Sequence, residues 1–167
     1  PVISPEHRDK IEKYMKVAKD DGATIAIGGK RPDDEDLKEG LFFEPTVITN
    51  CDTHMRIVQE EVFGPVVTVE GFDNEEEAIA LANDSIYGLA GAVFSKDIGK
   101  AQRVANKLKL GTVWINDFHP YFAQAPWGGY KQSGIGRELG KEGLEEYLIS
   151  KHILTNRNPE PVNFFSK

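Results

Sequence analysis

The sequence predicts an α/β fold, an open and mostly parallel sheet with flanking helices. Strand-like and helix-like segments alternate regularly from residue 66 onward, and the apolar runs are short and bounded by turn residues. Strand, helix, strand, helix, strand is the order that right-handed parallel crossovers produce. A third observation is the pair of long segments at strand ends, 59–66 and 117–133. They lie where ligands bind in such sheets.

The opening "SPEHRDKIEKYMKVAKDDG" reads as a helix. Ser4 is its N-cap, Pro5 takes the first helical position, and Glu6 suits the positive end. Ile11, Tyr14, Met15 and Ala18 recur at helical spacing until Gly22 stops the run. "ATIAIGG" is a strand, "KRPDDEDLKEG" a solvated acidic loop, and "LFFEPTVITN" an extended segment that Pro45 pushes toward a sheet edge. "VVTVEGF" is a strand. "DNEEEAIALANDS" is a helix opened by Asp73 with Glu76 three residues on, a capping-box pattern. "GAVFS" is a short buried strand, "DIGKAQRVANKLKLG" a helix ending in lysines and Gly111, and "TVWIN" another strand. After the loop to Ser133 come a helix over "RELGKEGLEEYL", a strand-like "ISKHILTN" and an irregular tail, "RNPEPVNFFSK".

With 167 residues, 40% hydrophobic and 28% charged, the chain can form one globular domain with a sizeable core. A net charge of -7 argues against nucleic acid as a partner, because no basic stripe offsets it. The apolar runs are too short to span a membrane, and no charged-then-apolar leader signals secretion. The single cysteine, Cys51, rules out an internal disulfide and fits a reducing, cytoplasmic setting. The first residue, Pro1 rather than Met, points to a piece of something longer.

"QAPWGGYKQSGIGRELG", residues 124–140, invites a phosphate-loop reading and does not support one. "GIGRELG" has one residue too many for G-x-G-x-x-G, no strand directly precedes it, and Asn156 stands where an acidic partner belongs. Gly128, Gly129, Gly134 and Gly136 therefore read as turns and close backbone approaches. His7, His54, His119 and His152 show no metal-ligand spacing. No base is placed by sequence near Cys51, so a packed thiol is favoured over a reactive one, and Glu75–Glu77 read as the wet face of their helix. Glu60 and Glu61 leave two readings open. A carboxylate on the rigid turn before "VFGPV" could accept hydrogen bonds from a sugar diol, with Phe63 packing on a flat ring; a helix-end charge and a core Phe serve as well. The loop 117–133 carries Phe118, Tyr121, Phe122, Trp127 and Tyr130, more aromatics than anchoring requires. Aromatic faces attract cations, each contact contributing about 0.5–2 kcal/mol, and quaternary ammonium cages are built this way.

"QEEVFGPV", "AIALANDSIYGLAGAVFSKD", "GTVWIN" and "QAPWGGYKQSGIGRELGKEGLEEYL" together resemble the aldehyde dehydrogenase superfamily, over essentially the whole chain. "FHPYFAQAPWGGYKQSGIGRELG" is most similar to the members that act on betaine aldehyde. The resemblance implies a catalytic-domain type α/β fold and oxidation of an aldehyde, here betaine aldehyde to glycine betaine, with NAD or NADP. The route would be a cysteine thiohemiacetal, hydride transfer and thioester hydrolysis. It assigns Glu61 to the nicotinamide ribose, Phe63 to the nicotinamide region, and Trp127, Tyr121 and Thr112 to the pocket around the trimethylammonium group. It assigns the main-chain carbonyls of Lys131 and Gly134 to potassium, and Glu138 to a proton relay. Glu138 could equally cap a helix or pair with Arg137 or Lys141.

The chain departs from the family pattern at the chemistry itself. Neither G-Q-x-C, with the nucleophilic cysteine, nor E-L-G-G-K, with the general base, occurs here, and Cys51 does not take the nucleophile's place. "PVIS" resembles a family segment that follows that cysteine. The resemblance therefore implies the C-terminal part of the catalytic domain over 1–148 and an oligomerisation strand and tail over 149–167, inactive alone. The full-length protein would be a homo-oligomer, a dimer or tetramer, acting on a small-molecule aldehyde. A second reading is a non-enzymatic binding or assembly module that reuses the fold.

Overall fold

A computed structural model of the chain describes residues 1–160. Helix α1, Pro5–Asp20, starts as its sequence dictates: the Ser4 side chain accepts a hydrogen bond from the His7 amide at 3.2 Å, and proline occupies the first turn. Its buried face is Ile11, Met15 and Ala18. This face closes over a cluster completed by Ala23, Phe43, Ile48, Ile57 and Val62, the main core of the molecule.

Strands β1 (Thr24–Ile27), β2 (Thr46–Thr49) and β3 (Val66–Thr68) form a sheet in that spatial order, antiparallel between the first pair and parallel between the second. The edge position expected for the "LFFEPTVITN" segment is not observed, because β2 is the central strand. Pro45 stands just before the strand, so its missing N–H removes no ladder bond. The one-turn helix α2, Arg56–Gln59, packs against α1.

Helix α3, Glu75–Asn83, is capped by Asn74, whose side chain accepts from the Glu77 amide at 2.9 Å, while the Glu77 carboxylate accepts from the Asp73 amide. The expected Asp73/Glu76 cap is thus shifted by one residue. Strand β4 (Tyr87–Gly88) pairs with the later β7 (Tyr130–Lys131), and β5 (Ala90–Val93) pairs in parallel with β6 (Thr112–Ile115) across helix α4 (Ile98–Lys107). The "GAVFS" strand is half-buried rather than buried, with Phe94 largely exposed.

The α/β class holds, and β5 pairs with β6 in parallel as the alternation implies, but β3 pairs in parallel with β2 rather than with β5, and the strands fall into three separate sets. The helix expected over "RELGKEGLEEYL" shortens to α5, Gly140–Glu145, because Leu139 and Gly140 adopt positive φ and Glu138 bridges to Trp127. Residues 149–156 form no strand and are exposed. The last part of the irregular tail, from residue 161, lies outside the described residues.

Candidate functional site

The turn after α2 is built by three residues with separate tasks. Val62 plugs the core, Phe63 takes φ 56°, and Gly64 lies over Ile11. A Cβ on Gly64 would stand 2.6 Å from Ile11 Cδ1, so a side chain there would have to push the buried Ile11 terminus aside. The Pro65 carbonyl accepts from the Thr46 amide at 2.8 Å and fastens the turn to β2. The ring of Phe63 is 71% exposed, which removes the core-Phe alternative.

The two carboxylates on this turn divide. Glu60 takes Arg56 through both Nε (2.8 Å) and Nη2 (2.9 Å), and accepts from the Tyr14 hydroxyl at 2.8 Å. These bonds, Arg56 first and Tyr14 second, pull its pKa down to about 2. Among the described residues the Glu61 carboxylate makes no hydrogen bond or ion pair; only its main-chain carbonyl is used, by Lys10 Nζ at 3.2 Å. Glu61 is exposed and borders a depression of about 460 Å³ together with Val58, Tyr87, Leu89 and Ser133. It is the residue of the pair free to accept from a ligand.

The second part of the site is aromatic. Tyr121 meets Trp127 edge-on, with ring centroids 4.7 Å apart at 75°. Thr112, Tyr121 and Trp127 line one recess of about 200 Å³, with Trp114 and Phe122. The three pocket positions that the resemblance singled out are thus brought together. Trp114, which the sequence reading passed over as a strand residue, is the hub. It lies 6.0 Å from Trp127, 6.3 Å from Tyr121, 5.7 Å from Phe118, and stacks on His119 at 5.9 Å and 13°. Its indole N–H donates to the Pro120 carbonyl at 3.1 Å, which folds the loop back over β6. His119, at the surface, pairs with the Tyr121 hydroxyl at 2.9 Å. The signal for Trp114 was its place in "TVWIN", on the strand that leads into the aromatic loop.

The glycine run forms the corner it was expected to form. A Cβ on Gly111 would fall 1.7 Å from the Gly128 carbonyl oxygen, so β6 and the P-W-G-G segment touch main chain to main chain. Arg137 stacks over Tyr130 at 5.3 Å and donates to the carbonyls of Gly129 (3.0 Å) and Gly136 (2.8 Å). Trp127 and Glu138 exchange two main-chain hydrogen bonds of 2.7 Å, and the exposed Glu138 forms no ion pair with Arg137 or Lys141 among the described residues. Lys131, at φ 52°, sends its ammonium to the carbonyls of Asn83 and Ser85, each at 2.9 Å. The Gly134 carbonyl accepts no hydrogen bond among the described residues. Leu89 and Ser133 border both the Glu61 depression and the cleft beside Trp127 and Glu138, so the two halves share one stretch of surface.

Cys51 is partly buried with its thiol toward the Ile48 carbonyl. Burial first, then the charge of Glu70, pushes its pKa up, the opposite of an activated thiolate. No group of three His, Cys, Asp or Glu among the described residues could hold a metal ion. No described helix is long and apolar enough to cross a membrane.

Residues 1–153 match the aldehyde dehydrogenase family. The chain belongs to that family. It is 66% identical over 166 residues to betaine aldehyde dehydrogenase of Bacillus subtilis (strain 168), a match covering 99% of this chain and 34% of the relative. It is 51% identical over 165 residues to the peroxisomal aminoaldehyde dehydrogenase 2 of Pisum sativum, covering 99% and 32%. A crystal structure of betaine aldehyde dehydrogenase from Staphylococcus aureus in complex with NAD+ is 88% identical and superposes with a TM-score of 0.96, over 100% of this chain and 33% of that one. This aldehyde dehydrogenase chain therefore spans about a third of the length of the relatives it matches.

Proposed function

We propose that the chain forms the part of an NAD-dependent betaine aldehyde dehydrogenase that walls the substrate's cation and holds the nicotinamide end of the cofactor. The observation that carries this is the Tyr121–Trp127 pair with Thr112 in the same recess. A trimethylammonium group offers no N–H to donate, so π faces and edges in a partly dry recess are the chemistry that recognises it. The names of the Bacillus and Staphylococcus relatives agree with that substrate.

The fit to the cofactor rests on the turn. An acceptor-only carboxylate without a protein partner beside an exposed ring suits a ribose diol joined to a flat heterocycle, and Glu61 and Phe63 supply both. NAD, when bound, supplies the acceptor for the hydride leaving the aldehyde carbon. Glu61 would accept from the ribose hydroxyls, Phe63 would pack against the ring, and Trp127 with Tyr121 would hold the ammonium end of the substrate. Glu138, exposed beside Trp127, would pass a proton between the site and solvent. The Gly134 carbonyl, without a partner, and that of Lys131 would hold potassium. The protein acts in the cytoplasm as a homo-oligomer, with 149–156 pairing to the sheet of another copy. Since the 167 residues contain neither G-Q-x-C nor E-L-G-G-K, this polypeptide alone does not turn over.

The test is Trp127→Ala in the full-length protein that carries this segment. The KM for betaine aldehyde should rise between about two- and thirtyfold, the range of a lost cation–π contact. The KM for an uncharged aldehyde of similar size should change less than about twofold. Equal effects on both aldehydes would refute the cation pocket.

A further inference from the structure

Helix α1 grips the cofactor turn at three points spaced i, i+3 and i+4. Ile11 lies under Gly64, Lys10 Nζ reaches the Glu61 carbonyl, and His7 Nε2 bonds the Phe63 carbonyl. The first is packing, and the other two are hydrogen bonds at the surface. The third is built differently. His7 stands at the third helical position after Ser4, where a Glu or Gln would reach back to the cap. Its side chain instead reaches 56 residues along the chain to a carbonyl whose own residue sits at φ 56°. Because that carbonyl can only accept, Nε2 carries the hydrogen, and Nδ1 is left buried without a partner among the described residues. A buried ring nitrogen without a partner is unfavourable, so an apolar side chain would pack there at less cost if packing were the only task. The ring also lies 6.0 Å from that of Phe63, tilted by 37°.

We infer that His7 is a positioning residue for the cofactor. Its Nε2–H holds the Phe63 carbonyl, and so fixes the left-handed turn that presents the Glu61 carboxylate and the Phe63 ring together. This rests on the reading of Glu61 and Phe63 as cofactor contacts. A left-handed residue other than glycine relaxes unless its surroundings hold it, and Gly64 next to it adds no stiffness. Loss of the bond should therefore loosen 62–64 and weaken cofactor binding while sparing the aromatic recess, which none of these residues lines.

The experiment uses the full-length protein, with His7→Leu, His7→Asn and His7→Gln. In the cofactor-free state, exchange of the Thr46 and Val66 amides, which donate to the Pro65 and Gly64 carbonyls of the turn, should be about tenfold faster in His7→Leu than in the unsubstituted protein. NADH affinity, read by fluorescence, should fall about tenfold, with the betaine aldehyde KM changed less than about twofold. Gln extends an N–H to about the same reach as Nε2 and should restore both exchange and affinity, whereas Asn is too short and should behave like Leu. Unchanged exchange in His7→Leu, no restoration by Gln, or an aldehyde KM shift as large as the NADH shift overturns the inference. If Leu does not fold, Asn against Gln decides in the same way. Failure of the unsubstituted protein to bind NADH would overturn the functional reading instead, and the exchange data would still report on the His7 bond.

Discussion

Glu60 and Glu61 are adjacent in sequence and identical in chemistry, yet one is consumed by the fold and the other is left for a ligand. Arg56 one turn earlier and Tyr14 on α1 converge on Glu60. Its pKa near 2 lies below the ordinary 4.5, so the folded state favours the charged form. That contribution to stability is fully present above pH 4.5 and is lost as the pH falls through the folded-state value. In acid unfolding of the chain, the decline in stability between those values should be shallower in Glu60→Gln than in the unsubstituted protein. Identical slopes would remove Glu60 from the acid response. Cys51 makes a second test at this scale. With its thiol pKa raised by burial, it should react with iodoacetamide at pH 8 more slowly than a free cysteine peptide. Faster labelling would contradict the packed-thiol assignment. "QEEVFGPV" marked the turn in the sequence but could not separate the two glutamates, because what separates them lies outside it: Arg56 four residues before Glu60, and Tyr14, 46 residues away.

At the scale of elements, caps and hinges show how closely the sequence could be followed. Asp73 and Asn74 are both good N-caps, each with a glutamate three residues on, and helical periodicity does not choose between them. The structure chooses Asn74. Asn74→Ala should cost about 1 kcal/mol in urea unfolding, and Asp73→Ala only a few tenths, since Asp73 contributes its amide rather than its side chain. The reverse order would show that the cap is Asp73. The turn at 83–85 was legible only as the end of a helix. In the structure Gln59 Nε2 donates to the Asp84 carbonyl at 2.7 Å, and Lys131 takes the carbonyls of Asn83 and Ser85. A single turn thus ties the segment before Glu61 to the corner beyond Trp127. Such long-range side-chain bonds leave no periodic trace, which is why this junction, like the shortened α5 and the strands β4 and β7, was not foreseen.

The whole molecule exposes more apolar surface than a self-contained domain normally does. Phe63, Phe94, Phe118, Phe122 and Ile153 are each more than half exposed, and the described strands lie in three sets that share no ladder. Large exposed apolar area favours association. In sedimentation of the 167-residue chain, the weight-average mass should rise with concentration across the micromolar range. A concentration-independent monomer would show that these side chains find cover within the chain itself. The class of the fold and the β5–β6 pair could be read from the alternation of segments, since that pair needs only local pattern and a connection of sufficient length, whereas the β2–β3 pair could not. The division of the sheet could not, because it depends on which edges stay unpaired.

The contact between Gly111 and Gly128 has a consequence for anyone wishing to change what the recess admits. The two glycines stand next in sequence to Thr112 and Trp127, which line the recess, so a side chain added at Gly111 would push those walls apart. Selectivity has to be retuned from the rim. Thr112 is the first lever, because it reaches the recess from the next residue of β6 and takes part in none of the ring contacts that hold Trp127 and Tyr121 in place.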